Sequence, residues 1–130
     1  MNFLLFFVLI TVSYILTLID AYLTYLTIKK NNFDFYLERN LIIRSFFIKY
    51  GLKKTFCFIL FIILPIYFLS LFLILSFNII FLNIVIFVML FLEILVKISV
   101  IYNNITGKIN FILKLFFKLP LVKKYFEVEL

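Results

Sequence analysis

Two apolar stretches, residues 3–28 and 55–102, dictate most of what this chain can become. At 1.5 Å per residue the first reaches about 39 Å as a helix, beyond the ~30 Å hydrocarbon core of a bilayer, so one tilted span is expected. The second is roughly 48 residues long, too long for one crossing and enough for two. Its polar interruption near the middle is Ser76-Phe77-Asn78, where Ser and Asn side chains make local turn hydrogen bonds, so a tight turn is expected there. The spans are thus placed at about 3–28, 55–76 and 79–102. Pro65 falls at mid-depth of the second span and is expected to bend it, because its ring removes a backbone donor.

Composition agrees with lipid as the solvent. Hydrophobic residues make up 67% of the chain and charged residues 15%, against roughly a quarter charged in a water-soluble domain. The net charge of +7 is unevenly placed. Lys29, Lys30, Arg39, Arg44, Lys49, Lys53 and Lys54 lie between the first two spans, and Lys108, Lys114, Lys118, Lys123 and Lys124 follow the last. Cytoplasmic loops collect basic residues in this way, so the distribution points to anionic headgroups rather than nucleic acid as the partner. The expected topology is a multi-pass protein of the cell membrane with its N-terminus outside, residues 29–54 inside, the turn at 76–78 outside and the C-terminus cytoplasmic. The N-terminus has neither the basic start nor the small-residue cleavage pattern of a signal peptide, so the first run is read as a retained span. Cys57 stands alone and no intrachain disulfide is expected. The absence of histidine removes the usual proton shuttle and the commonest metal ligand, and neither a metal nor a cofactor is expected.

Two segments outside the spans carry helical periodicity. Within residues 38–50, Leu41, Ile42 and Phe46 share a face against Arg44 and Lys49, which predicts a short helix lying on the membrane surface and ended by Gly51. Residues 109–126 set Ile112, Leu113, Phe116, Phe117, Leu119 and Leu121 against four lysines, a basic amphipathic helix bent at Pro120. The fold expected is all-α: an integral membrane three-helix bundle, in a single domain over residues 1–130, with an amphipathic interfacial helix between spans one and two and a basic amphipathic helix at the C-terminus.

Inside the first run, Ser13, Thr17, Asp20, Thr24, Thr27 and Asn31 recur at spacings of 4, 3, 4, 3 and 4, which keeps them on one helix face. A stripe holding a carboxylate has to face protein or water, since Asp at the bilayer centre costs about 2.5 to 3.5 kcal/mol on insertion scales. Span three adds Glu93 and Lys97, four apart with the acid first, a favourable order for pairing, and Asn104 continues that side. Spans one and three run in the same direction in this topology. Asp20 lies about 7 Å and Lys97 about 9 Å beyond the middle of its span, so an interhelical contact between Asp20 and Lys97 is expected. These charges serve either to hold the helices together or to form a proton, ion or polar-substrate path. Lacking a GxxxG motif, the chain has the polar stripe as its candidate glue.

Asp20 and Thr24, the stretch Glu38-Arg39-Asn40-Leu41-Ile42-Ile43-Arg44 with Gly51, and Tyr102-Asn103-Asn104 together resemble a family of small prokaryotic multi-pass membrane proteins, a domain of unknown function. That family shows Asp-x3-Thr late in the first span, a Glu-x-Asn-Pro-x-x-Arg surface stretch, a glycine, and a last span ending near Asn. Leu41 stands where the family has Pro. The resemblance implies Glu38, Asn40, Arg44 and Gly51 as a surface motif and no particular activity. On physical grounds Asn40 is a candidate cap for the surface helix, and Glu38 and Arg44, six apart, are out of phase for pairing along one helix.

Three classes of function follow. The leading expectation is a non-enzymatic accessory or assembling subunit that forms a homo-oligomer or joins a larger membrane complex. The alternative is a small transporter or ion-conducting protein using Asp20, Glu93 and Lys97. An intramembrane enzyme is disfavoured: there is no imidazole base for a nucleophile, no histidine for a hydrolytic metal and no Gly-rich phosphate loop.

Overall fold

The computed structural model describes residues 3–127. Among them the chain is helical throughout, with helices α1 (Phe3–Lys30), α2 (Leu41–Tyr50), α3 (Leu52–Phe77), α4 (Ile80–Thr106), α5 (Phe111–Lys118) and α6 (Pro120–Tyr125), plus a single 3-10 turn at Phe35–Leu37. Helices α1, α3 and α4 are long and apolar enough to cross a membrane.

The helix limits follow local chemistry. The last turn of α1 carries Lys29 and Lys30, favourable charges at a helix C-terminus. The Asn40 side chain accepts from the amides of Ile42 and Ile43 and so caps α2. Gly51 both ends α2 and starts α3 at φ +82 and ψ 168, a backbone region essentially reserved for glycine. The turn between α3 and α4 is shorter than a hairpin of loops: Asn78, left-handed at φ 42, closes α3 and is followed directly by Ile79. The third long helix runs on to Thr106, four residues beyond the expected end, and stops at left-handed Gly107. Helix α3 continues through Pro65 as one helix. The expected tail helix is two helices instead: Asn110 caps α5, and Pro120 opens α6 at its first position, where a missing N–H costs nothing.

Packing orders the three long helices unequally. Helix α1 packs mainly on α4 and less on α3, while α3 and α4 barely touch. Pairs along the α1–α4 seam (Phe6 with Phe87, Ser13 with Lys97, Asp20 with Asn104) rise together in number, so these two helices are parallel. The apolar core at one level consists of Phe6, Ile10, Tyr67, Ile74 and Leu90. A second core, Ile28, Phe47 and Leu52, joins the end of α1 to α2 and the start of α3, with Tyr25, Phe35, Ile43 and Phe56 around it. Most of the remaining apolar surface of the long helices is exposed, as lipid-facing side chains would be.

Helices α2 and α5 therefore stand at the same end of the molecule, beside the C-termini of α1 and α4. Three links tie that end together. Arg44 Nη1 forms an ion pair with Glu127 Oε2 at 2.6 Å, Asn40 bridges to Phe126, and Asn110 Nδ2 donates to Ser99 Oγ at 3.1 Å. Both basic segments of the sequence lie here, and this is called the basic end below.

Candidate functional site

The polar stripe of α1 divides between two places. Its upper part, Ser13 and Thr17, faces Lys97 of α4. Lys97 Nζ donates to Glu93 Oε1 (2.6 Å), Tyr67 OH (2.9 Å), Ser13 Oγ (3.2 Å), the Ser13 carbonyl (3.3 Å) and Thr17 Oγ1. Tyr67 OH in turn donates to Glu93 Oε1 at 2.8 Å and lies 2.7 Å from Ser13 Oγ. One ammonium with three N–H groups thus sits among acceptors from all three long helices. Ser13 is fully buried, Tyr67 nearly so, and the Lys97 side chain is 18% exposed. Because Glu93 neutralises Lys97 inside this cluster, the group as a whole carries no net charge, which is what an apolar surrounding tolerates.

Asp20 is not part of that cluster. The expected Asp20–Lys97 contact does not form: Asp20 Oδ1 accepts from Asn104 Nδ2 at 2.9 Å, and among the described residues the ion pairs are Glu93–Lys97 and Arg44–Glu127 alone. Lys97 is instead level with Ser13, about two turns of α1 earlier than Asp20.

The lower part of the stripe faces a cavity of about 400 Å³ at the basic end. Asp20, Thr24 and Thr27 line it from α1, Glu38, Arg39 and Asn40 from the segment before α2, and Asn103, Asn104 and Gly107 from the end of α4. Leu113, Phe116 and Phe117 of α5 and Phe126 supply apolar wall. Thr27 is exposed, its hydroxyl bonded back to the Leu23 carbonyl, and Asn31 Nδ2 donates to the Thr27 carbonyl.

Local chemistry explains how the segment before α2 is held. Glu38 Oε1 accepts from the Asn40 amide at 2.9 Å, and Arg44 reaches back from α2 to donate Nε to the Glu38 carbonyl (2.8 Å) and Nη2 to the Tyr36 carbonyl (3.1 Å). Arg44 is thus a strut that meets the backbone of Glu38 rather than its carboxylate. Burial raises the Glu38 carboxyl above its ordinary range; the Asn40 amide opposes that and the nearby Asp20 charge reinforces it. Gly51 lies outside the cavity and serves the α2–α3 junction.

Two donors in the cavity wall have no partner among the described residues: Arg39 Nη1 and Asn103 Nδ2, both shut off from solvent. A buried donor left unpaired costs about 1–3 kcal/mol, more when charged, so the fold has left interactions unmet here, as it has for the buried Asn83 Oδ1 near the start of α4, outside the cavity. On sequence alone Arg39 counts among the headgroup-facing charges, Asn103 figures only within the Tyr102-Asn103-Asn104 resemblance, and Tyr67 is not singled out. Tyr67 had a signal: it stands in the middle of an apolar run, far from the interfacial belts where tyrosine is common.

No family model, curated protein or solved structure matches the chain.

Proposed function

We propose that this chain is a non-enzymatic protein of the cell membrane that acts as an accessory or assembling subunit, its buried charges fixing its own helices. The observation that carries this reading is the occupancy of Lys97: Glu93, Tyr67, Ser13 and Thr17 surround its ammonium, with no donor left over for a passing ion or substrate. A conducting path needs groups that exchange partners, whereas these groups are tied to one another across three helices.

What the molecule then offers its surroundings is its outer surface. Helix α3 supports assembly because Phe61, Phe68 and Phe72 are 75%, 67% and 59% exposed at helical spacing, on a helix that packs less closely on α1 than α4 does. Placing the basic end in the cytoplasm satisfies the positive-inside rule and sets Lys29, Lys30, Lys114 and Lys118 against anionic headgroups.

Native mass spectrometry of the full chain released from membranes in mild detergent tests the reading. A homo-oligomer or a defined hetero-complex is the expected result. A strict monomer that supports ion flux in proteoliposomes, with flux lost in Asp20→Asn, would overturn it in favour of transport.

A further inference from the structure

Three ionic side chains line the cavity at the basic end, and none is paired with another. Asp20, Glu38 and Arg39 are all in its wall, yet none of them takes part in an ion pair among the described residues. The two carboxylates are held by neutral donors: Asp20 by the Asn104 amide group and Glu38 by the Asn40 N–H. Arg39 Nη1 and Asn103 Nδ2 are donors with no acceptor among the described residues, and the Asn103 side chain belongs to a residue only 9% exposed.

This inventory selects among ligands. A simple anion would satisfy Arg39 and Asn103 while facing two carboxylates. A simple cation would satisfy the carboxylates and leave both orphan donors unmet beside an added positive charge. A group carrying both signs meets all four residues. The cavity volume of about 400 Å³ falls within the roughly 300 to 1,000 Å³ of small-molecule sites, and the walls from Leu113, Phe116 and Phe117 suit a carbon chain attached to a polar head.

We propose that the cavity binds a phosphate joined to a primary ammonium, the phosphoethanolamine group, with the phosphate on Arg39 and Asn103 and the ammonium on Asp20 and Glu38. A guanidinium matches phosphate oxygens with charge-assisted hydrogen bonds, and an ammonium supplies three donors to the carboxylates. The group reaches the cavity either as a phospholipid headgroup or as the free soluble compound.

The test is native mass spectrometry of the full chain in mild detergent with phosphatidylethanolamine, phosphatidylcholine and phosphatidylglycerol of matched acyl chains. The choline head keeps the positive charge and has no N–H to donate; the glycerol head has no positive charge. Phosphatidylethanolamine should be retained about tenfold better than either, the size of one charge-assisted contact. Asp20→Asn and Glu38→Gln should each bring it down to the level of the other two, whereas Arg39→Gln and Asn103→Leu, which touch the phosphate that all three share, should weaken the retention of every one of them. In a parallel arm, free O-phosphoethanolamine is compared with inorganic phosphate by thermal shift. A lipid preference without a shift assigns the site to the headgroup, and a shift specific to O-phosphoethanolamine assigns it to the soluble form. Equal retention of the three lipids together with no specific shift overturns the proposal, as does a preference that survives both carboxylate substitutions. The comparison of lipids on the unaltered chain keeps the outcome decisive even where a variant does not fold.

Discussion

Lys97→Met is the perturbation that most directly probes how the long helices are joined. Methionine keeps the length and removes the charge and all three N–H donors. Three side-chain contacts that cross between helices disappear with it, those to Ser13, Thr17 and Tyr67. Hydrogen bonds between helices in membrane proteins average about 0.6 kcal/mol, so the three together come to about 2 kcal/mol. Glu93 adds to this, because it loses its cation and, among the described residues, keeps only the Tyr67 hydroxyl. A destabilisation of about 2 to 3 kcal/mol is therefore expected. The assay is reversible unfolding in mixed micelles with rising sodium dodecyl sulfate, followed by helical circular dichroism. Adding Glu93→Gln to Lys97→Met should restore part of the stability, because the unpaired carboxylate is then gone, and a double-mutant cycle with Ser13→Ala should show coupling of about 0.5 kcal/mol or more. A Lys97→Met chain as stable as the wild type, with no coupling to Ser13, would refute the idea that this cluster joins the helices.

Two further outcomes follow from the geometry. Exchanging the residue types, Asp20→Lys with Lys97→Asp, should not rescue either single variant in the same unfolding assay, because the two side chains do not touch; full rescue would show that the helices pair in a different register. The Glu38 carboxyl is raised above its ordinary value of 4.5, so the folded state favours its neutral form. The stability this confers is complete below the unfolded value and is lost as pH rises through the folded one. The difference in stability between wild type and Glu38→Gln should therefore shift against the wild type as pH rises above about 4.5, then level off; a difference independent of pH would remove the burial argument.

The long helices were legible because length and apolarity determine a span almost alone. The local motifs were also readable, since a cap such as Asn40 or a turn such as Ser76-Phe77-Asn78 depends on residues within one or two turns. Register between helices was not. Aligning the midpoints of the first and third apolar runs puts residue 20 level with about residue 95, whereas the structure pairs Asp20 with Asn104, about two and a half turns further along. Apolar midpoints carry no register information, because one leucine facing lipid is as good as the next. The positions are fixed by the few polar side chains that must find one another. Tyr67 belongs to α3 and joins the cluster only through the fold, so the stripe on α1 could not announce it. The cavity was hidden for the same reason: α1, the segment before α2, the end of α4, α5 and Phe126 build it from far apart in sequence, and nothing local to Arg39 or Asn103 marks them as its donors.

The two polar sites also differ in what their depth allows. Deep between the long helices, polar groups are tolerated when they neutralise and saturate one another, and the cluster of Ser13, Thr17, Tyr67, Glu93 and Lys97 meets that condition. A closed cluster of that kind has nothing to exchange. At the basic end, Asp20, Glu38 and Arg39 line a cavity of about 400 Å³ and have no ionic partners among the described residues. One helix face supplies both sites, Ser13 and Thr17 to the first and Asp20 and Thr24 to the second. Of the two, the cavity is the one with unmet bonding capacity among the described residues, in Arg39 Nη1 and Asn103 Nδ2.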